Sequence, residues 1–223
     1  MVFENRHDAG KLLASKLIQY GKSRSIVLAL PRGGVEVGFE VAKVLRAPLD
    51  VLVIRKIGSP NDPEFGIGAI SEGGEQILDE STVNFLRIPK KDLKQTLEKE
   101  QKELNRRIAI YREGRAIPSL KDRTVILVDD GIATGVTARA AIVSIRKQKP
   151  KQVILASPVC AHNTVREFQH LANRVVCLTT PVDFNSVGIW YRSFEQVTDE
   201  QVVELLKQSR NLKGNLKGGD ECG

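Results

Sequence analysis

Val125-Ile126-Leu127-Val128-Asp129-Asp130-Gly131-Ile132-Ala133-Thr134-Gly135-Val136-Thr137 is the stretch on which the reading of this 223-residue chain turns. An apolar run ends in two adjacent carboxylates. A short turn of glycine and threonine follows, and then a helical pattern over residues 137–147. A continuous apolar run is what a strand buried on both faces of a parallel sheet looks like. A turn opening on a helix offers backbone N–H groups and the positive end of the helix dipole, so residues 133–137 suit a phosphate. The hydroxyls of Thr134 and Thr137 add donors. Ionised Asp129 and Asp130 only accept hydrogen bonds, so they suit hydroxyl groups a few ångströms away, such as a ribose diol. One loop that holds both groups describes a ribose 5-phosphate site.

The pattern on either side is α/β. Residues 7–20 have helical spacing. Residues 26–30 form an apolar strand ending at Pro31-Arg32-Gly33-Gly34, and residues 35–45 are again helical. A second apolar strand, 49–54, ends at Arg55-Lys56. Residues 57–80 are expected to form a loop, rich in glycine and proline up to Gly74, with 67–70 and 76–78 able to pair as a hairpin. Residues 89–112 read as a long charged helix with Leu93, Leu97, Leu104, Ile108 and Tyr111 on one stripe. Strands at 152–157 and 175–178 alternate with a helix at 163–171. A loop with aromatic residues spans 181–194, and a last helix runs from Asp199 to about Ser209, capped by Thr198 or Asp199. These observations predict a single α/β domain over 1–210: a mainly parallel, twisted sheet flanked by helices. A tail without regular structure is expected over 211–223.

Composition narrows the classes. The net charge is +7, and aromatic residues make up only 5%. No basic stretch is interleaved with aromatics, so a small polyanion is favoured over nucleic acid as the partner. No apolar run is long enough for a bilayer, and residues 1–8 lack the apolar core of a signal peptide, so a cytoplasmic protein without a membrane partner is expected. Cys160, Cys177 and Cys222 are odd in number and scattered. They argue against a disulfide framework and read as buried or idle thiols. Cys160 and His162 have no second pair to complete a zinc site.

The 125–137 segment resembles the PRPP-binding signature of the type I phosphoribosyltransferases: a hydrophobic strand, two acids, three variable residues, Thr-Gly, one residue, then Thr or Ser. The resemblance implies that family's fold with a flexible hood loop. It also implies transfer of ribose 5-phosphate from PRPP to a nitrogen acceptor, nucleobase-like, with release of pyrophosphate. The 5-phosphate and ribose would bind at Asp129, Asp130, Ala133, Thr134, Gly135, Val136 and Thr137. Pyrophosphate would bind at Arg32, Gly33 and Gly34, in a loop where the family often has an unusual cis peptide, and at Arg55 and Lys56, where the hood opens. Asp129, Asp130, Arg32 and Lys56 would be the catalytic set. Mg²⁺ is implied, held by Asp129 and Asp130 directly or through ribose hydroxyls or water, and so is a homodimer or higher homo-oligomer.

The acceptor side departs from the family pattern. The 6-oxopurine branch has an acid just before the Thr-Gly, where this chain has Ala133. Phe184, Trp190 and Tyr191 are candidates to stack on an acceptor ring. Glu64 or Glu72 are candidates to supply the missing acid. The alternative reading is a non-catalytic regulator that senses PRPP or a nucleotide on the same fold.

Overall fold

The computed structural model describes residues 1–21 and 24–217, with backbone only at residue 64 and residues 213–217. Helix α1 (Arg6–Leu17) leads to strand β1 (Ser25–Ala29), helix α2 (Gly33–Leu45) and strand β2 (Leu49–Val51). Strands β3 (Ile54–Ser59), β4 (Asp62–Ser71) and β5 (Gln76–Leu78) follow, then helices α3 (Glu80–Phe85) and α4 (Lys90–Arg112). The second half contains β6 (Thr124–Val128), α5 (Val136–Lys147), β7 (Gln152–Val159), α6 (His162–Phe168), β8 (Arg174–Thr179) and α7 (Asp199–Lys217).

The main sheet is parallel, in the order β2-β1-β6-β7-β8. Its apolar runs are buried on both faces because successive residues point to opposite sides. Val27, Ala29, Ile126, Val128, Ile154 and Ala156 join one core with α1, α2 and α7. Ile26, Leu28, Val125, Leu127, Val153 and Leu155 join the other with α5 and Phe168. With β1 and β6 adjacent in register, Ala29 opposite Val128, the loops that leave them lie side by side.

The expected second strand is divided between two sheets. Residues 49–51 pair with β1, and from Ile54 the chain enters a separate antiparallel sheet ordered β3-β4-β5. The anticipated hairpin is β4 with β5, with Ala69 opposite Ile77. The rest of the expected hood loop is regular too, because β3 pairs along β4. Ile57, Ile67 and Ile70 are completely buried and join the same core as β1, β6 and α2, so this sheet packs onto the main one.

Arg112, at the end of α4, fastens the two sheets together. Its guanidinium donates to Asp50 Oδ1 at 2.6 Å and Val51 O at 2.7 Å on β2, and to Glu72 Oε1 at 2.6 Å beyond β4. Helix α7 opens with the expected cap, in reciprocal form: Gln201 N–H donates to Thr198 Oγ1 and Thr198 N–H to Gln201 Oε1. The helix continues to Lys217, so the tail expected from residue 211 is helical over its first part. Residues 218–223 lie outside the described residues.

The reading of idle thiols is corrected. Cys160 and Cys177 form a disulfide with their Cα atoms 6.3 Å apart. Spacing along the chain hid the pair. Strands β7 and β8 are neighbours, Ser157 lies opposite Cys177, and Cys160 directly follows β7. Among the described residues, no helix is long and apolar enough to cross a membrane.

Candidate active site

The candidate site lies at the carboxyl ends of β1 and β6, where open α/β sheets gather ligands. On the β6 side, Asp129 and Asp130 leave the strand half-buried, and Asp130 N–H donates to Asp129 Oδ1 at 2.9 Å. Asp129 is raised well above the usual carboxylate range, chiefly by burial and then by the charge of Asp130 beside it. The Asp130 carbonyl accepts a 2.5 Å hydrogen bond from Tyr191 Oη.

The turn that follows is built for a helix start without a side-chain cap. Gly135 is the N-cap of α5 in the left-handed region, at φ 72°, and no side chain caps the helix. The first N–H groups of α5 therefore point into the turn, which is the anion-binding arrangement. A side chain at Gly135 would also collide with the Phe168 ring. Helix α6 supports the turn from behind: Thr164 Oγ1 donates to Ala133 O, and Ala161 N–H donates to Ile132 O at 2.9 Å.

On the β1 side, the Pro31–Arg32 peptide is cis. Two glycines follow for separate steric reasons. A Cβ on Gly34 would lie 2.9 Å from Val128 O and 3.0 Å from Asp129 Cα. A Cβ on Gly33 would collide with the Asp130 carboxylate. The cation-glycine loop and the acid pair are thus in contact. Arg32 itself is half-buried.

Arg55, Lys56 and Glu72 belong to the second sheet or its edge. Arg55, on β3, is engaged by α4: its Nε and Nη2 donate to Glu100 Oε2 at 2.8 and 2.6 Å. Lys56 is exposed on β3 and lies over Gly66. Glu72 is not positioned as an acid for an acceptor. One oxygen accepts from Arg112 and the other from Val53 N–H at 3.0 Å, and only 8% of its side chain is exposed. Burial raises its pKa, and Arg112 opposes that rise. The side chain of Glu64 lies outside the described residues.

Of the candidate aromatics, Tyr191 is buried, with its ring between Phe3 and Phe194 at centroid distances of 5.5 and 5.1 Å. It serves the loop by holding Asp130 and is not a free stacking surface. Phe184 stacks on Trp190 at 6.5 Å, and Trp190 Nε1 is buried without a hydrogen-bond partner.

Arg6 was not anticipated. Its Nε donates to Asp130 Oδ2 at 2.7 Å across 124 residues of sequence. A cation at the first position of a helix opposes the helix dipole, which is the only local sign that Arg6 serves something other than its own helix.

Residues 3–192 match the phosphoribosyl transferase domain family. The Mycobacterium tuberculosis H37Rv protein Rv0571c, provisionally named a phosphoribosyl transferase, is 44% identical over 208 residues. That match takes in 93% of this chain and 47% of the relative, so the chain spans about half the length of the curated relatives it matches. A crystal structure of the Thermus thermophilus protein TT1426 aligns over 93% of this chain and 99% of that one, with a TM-score of 0.78 and 40% identity. An Aquifex aeolicus protein, AQ2163, shares the fold at a TM-score of 0.53 and 12% identity, over 90% of this chain and 84% of its own.

Proposed function

Since the chain belongs to the phosphoribosyl transferase family, we propose that it transfers the ribose 5-phosphate of PRPP to a nitrogen acceptor and releases pyrophosphate. One observation carries this reading: the twin acids that lead from β6 toward the uncapped start of α5 lie against Gly33 and Gly34, directly after the cis Pro31–Arg32 peptide on the neighbouring strand's loop. That juxtaposition offers a diol acceptor, a phosphate cradle and a cation within one cleft.

The 5-phosphate would be held by backbone N–H groups of residues 134–137 and the hydroxyls of Thr134 and Thr137. Asp129 and Asp130 would accept from the ribose hydroxyls and fix the sugar. Arg32 would meet the pyrophosphate with its guanidinium fork, which favours the leaving group as its charge develops. Mg²⁺ fits this donor set in part. Two carboxylates supply hard oxygen ligands, yet among the described residues no cluster of three acids, histidines or cysteines forms a metal cage. The ion would therefore be shared between Asp129 or Asp130 and the ligand's phosphates. When bound it would neutralise charge on the departing pyrophosphate.

The acceptor would lie toward Phe184 and Trp190. Ala133 supplies no acid, and Glu72 is engaged with Arg112, so an acceptor nitrogen that needs little help losing its proton is favoured. The same absence supports a second reading, a PRPP- or nucleotide-sensing regulator that binds without turnover. A cytoplasmic homo-oligomer remains part of the proposal by family resemblance.

Calorimetric titration with Mg²⁺-PRPP, followed by an assay of pyrophosphate release across a panel of purine, pyrimidine and other nitrogen acceptors, tests the reading. Binding that Asp130→Asn weakens measurably, together with pyrophosphate release, is the expected result. Binding without release for any acceptor selects the regulator. PRPP affinity unchanged in Asp130→Asn overturns both.

A further inference from the structure

We propose that Arg6 is the positioning residue of the acid pair, aiming the Asp130 carboxylate so that it meets the ribose hydroxyls already ordered. The inference rests on the PRPP reading above and assigns a role to a residue far from the motif.

The geometry is specific. Arg6 is only 7% exposed although it opens a helix. Its guanidinium is held on several sides. Nε donates to Asp130 Oδ2 at 2.7 Å, and Nη1 donates to the Glu195 carbonyl at 2.7 Å and lies 3.6 Å from Glu36 Oε2. Its flat face lies 3.8 Å from the centre of the Phe194 ring. A planar fork fixed by a carbonyl and a ring has little rotamer freedom left, so it transmits its own position to the carboxylate it binds. Asp130 is gripped a second time through its carbonyl by Tyr191.

Gly33 gives independent support. The space a Cβ would take there is filled by the Asp130 carboxylate, with Arg6 Nε 2.8 Å away. The glycine of the cation loop thus makes room for the Arg6–Asp130 pair itself. The pair does not exhaust the acid. A carboxylate has about four acceptor sites, and Arg6 Nε takes one of them, so Asp130 keeps capacity for a hydroxyl. Asp129 is held in another way, packed beside Gly34 and accepting the Asp130 N–H at 2.9 Å. The two acids are therefore inequivalent before any ligand arrives: a guanidinium grips the Asp130 carboxylate, and backbone contacts hold that of Asp129.

A double-mutant cycle read by PRPP binding tests this. Arg6→Gln, which keeps an N–H donor but loses the charge and the fork, should weaken Mg²⁺-PRPP affinity about tenfold, within the range of coupling seen for residues in direct contact. Arg6→Lys should recover part of the loss, since it restores charge without the fork. The deciding measurement is Arg6→Gln in the Asp130→Asn background, where the further loss should fall to about twofold or less, because Arg6 acts through Asp130. An equal loss in both backgrounds would show that Arg6 acts on the fold at large, and would overturn the inference. If Asp130→Asn alone leaves PRPP affinity unchanged, the PRPP reading itself fails and this inference falls with it. Thermal unfolding of the Arg6→Lys variant guards against misfolding: a native transition with unrecovered affinity still counts for the fork, whereas full recovery by Lys counts against it.

Discussion

Two basic stretches follow the first two apolar runs, Pro31-Arg32-Gly33-Gly34 and Arg55-Lys56, and on paper they look alike. In the fold they diverge. Arg32 stands in a loop with a cis peptide, whose next residues, Gly33 and Gly34, lie against the twin acids. Arg55 stands inside a strand, with its fork engaged by Glu100. A cation after an apolar run is a site candidate only when the chain stops being a strand there. At the first stretch β1 has ended at Ala29 and α2 begins at Gly33, whereas Arg55 and Lys56 lie inside β3, where Arg55 is engaged by Glu100. The first stretch is the one proposed above for the ligand, and in the second Arg55 ties β3 to α4.

The largest test of this contrast is at Arg112, which binds the second sheet to the first. Arg112→Met should destabilise the protein by about 3–5 kcal/mol, because it leaves Asp50 and Glu72 without their buried partner. Urea unfolding measures this, and a loss below about 1 kcal/mol would mean the sheets hold together without the ion cluster.

Next is Arg32. Arg32→Ala should weaken pyrophosphate binding by about 1.5–3 kcal/mol, the worth of a hydrogen bond to a charged group, with little change in thermal stability. Arg55→Ala should do the reverse: pyrophosphate affinity is retained, and stability drops by about 1 kcal/mol or less, as for a pair near the surface. Swapped outcomes would collapse the distinction between the two stretches.

Hydrogen exchange extends the contrast to the backbone. The paired core of β3 and β4, around Ile57 and Ile70, should be protected without ligand, while residues 131–135 exchange faster until Mg²⁺-PRPP binds. Fast exchange at both would restore a mobile hood.

The smallest expected effect is electrostatic. Burial raises the Glu72 pKa above its ordinary value of 4.5 despite Arg112. With the folded pKa above the unfolded one, the folded state is favoured when Glu72 is protonated. That contribution is fully present below pH 4.5 and is lost as pH rises through the folded pKa. Glu72→Gln should flatten this part of the stability-pH curve, measured by denaturant midpoints. An unchanged slope would mean that other groups carry it.

The features legible in the sequence were local ones. The β6–turn–α5 segment, the buried parallel strands, the β4–β5 hairpin and the Thr198 cap each depend on residues within a few positions of one another. What could not be read depends on which strands become neighbours. Cys160 meets Cys177 only because β7 pairs with β8. Glu72 looked like a free loop acid until the fold placed Arg112 against it. The extent of strand within 57–80 was missed because glycine and proline were weighed more heavily than Ile57, Ile67 and Ile70, which are buried in the core. Arg6 carried almost no signal, since its partners are 124 and 189 residues away.

The meeting of residues 3–6 with residues 190–195 has a consequence for how the protein is made. Phe3 N–H donates to Trp190 O, and Arg192 and Ser193 return bonds to Phe3 and Glu4, while Arg6 reaches Glu195. On the ribosome the first of these segments emerges long before the second, by about 10–40 s at ordinary rates of synthesis. Through that interval the β6 turn can be complete while Asp130 still lacks Tyr191, and Arg6 still lacks Glu195 and Phe194. The nascent chain therefore displays the motif before the surroundings of Asp130 are finished. Competence arrives late, when the aromatic segment closes over the N-terminal residues.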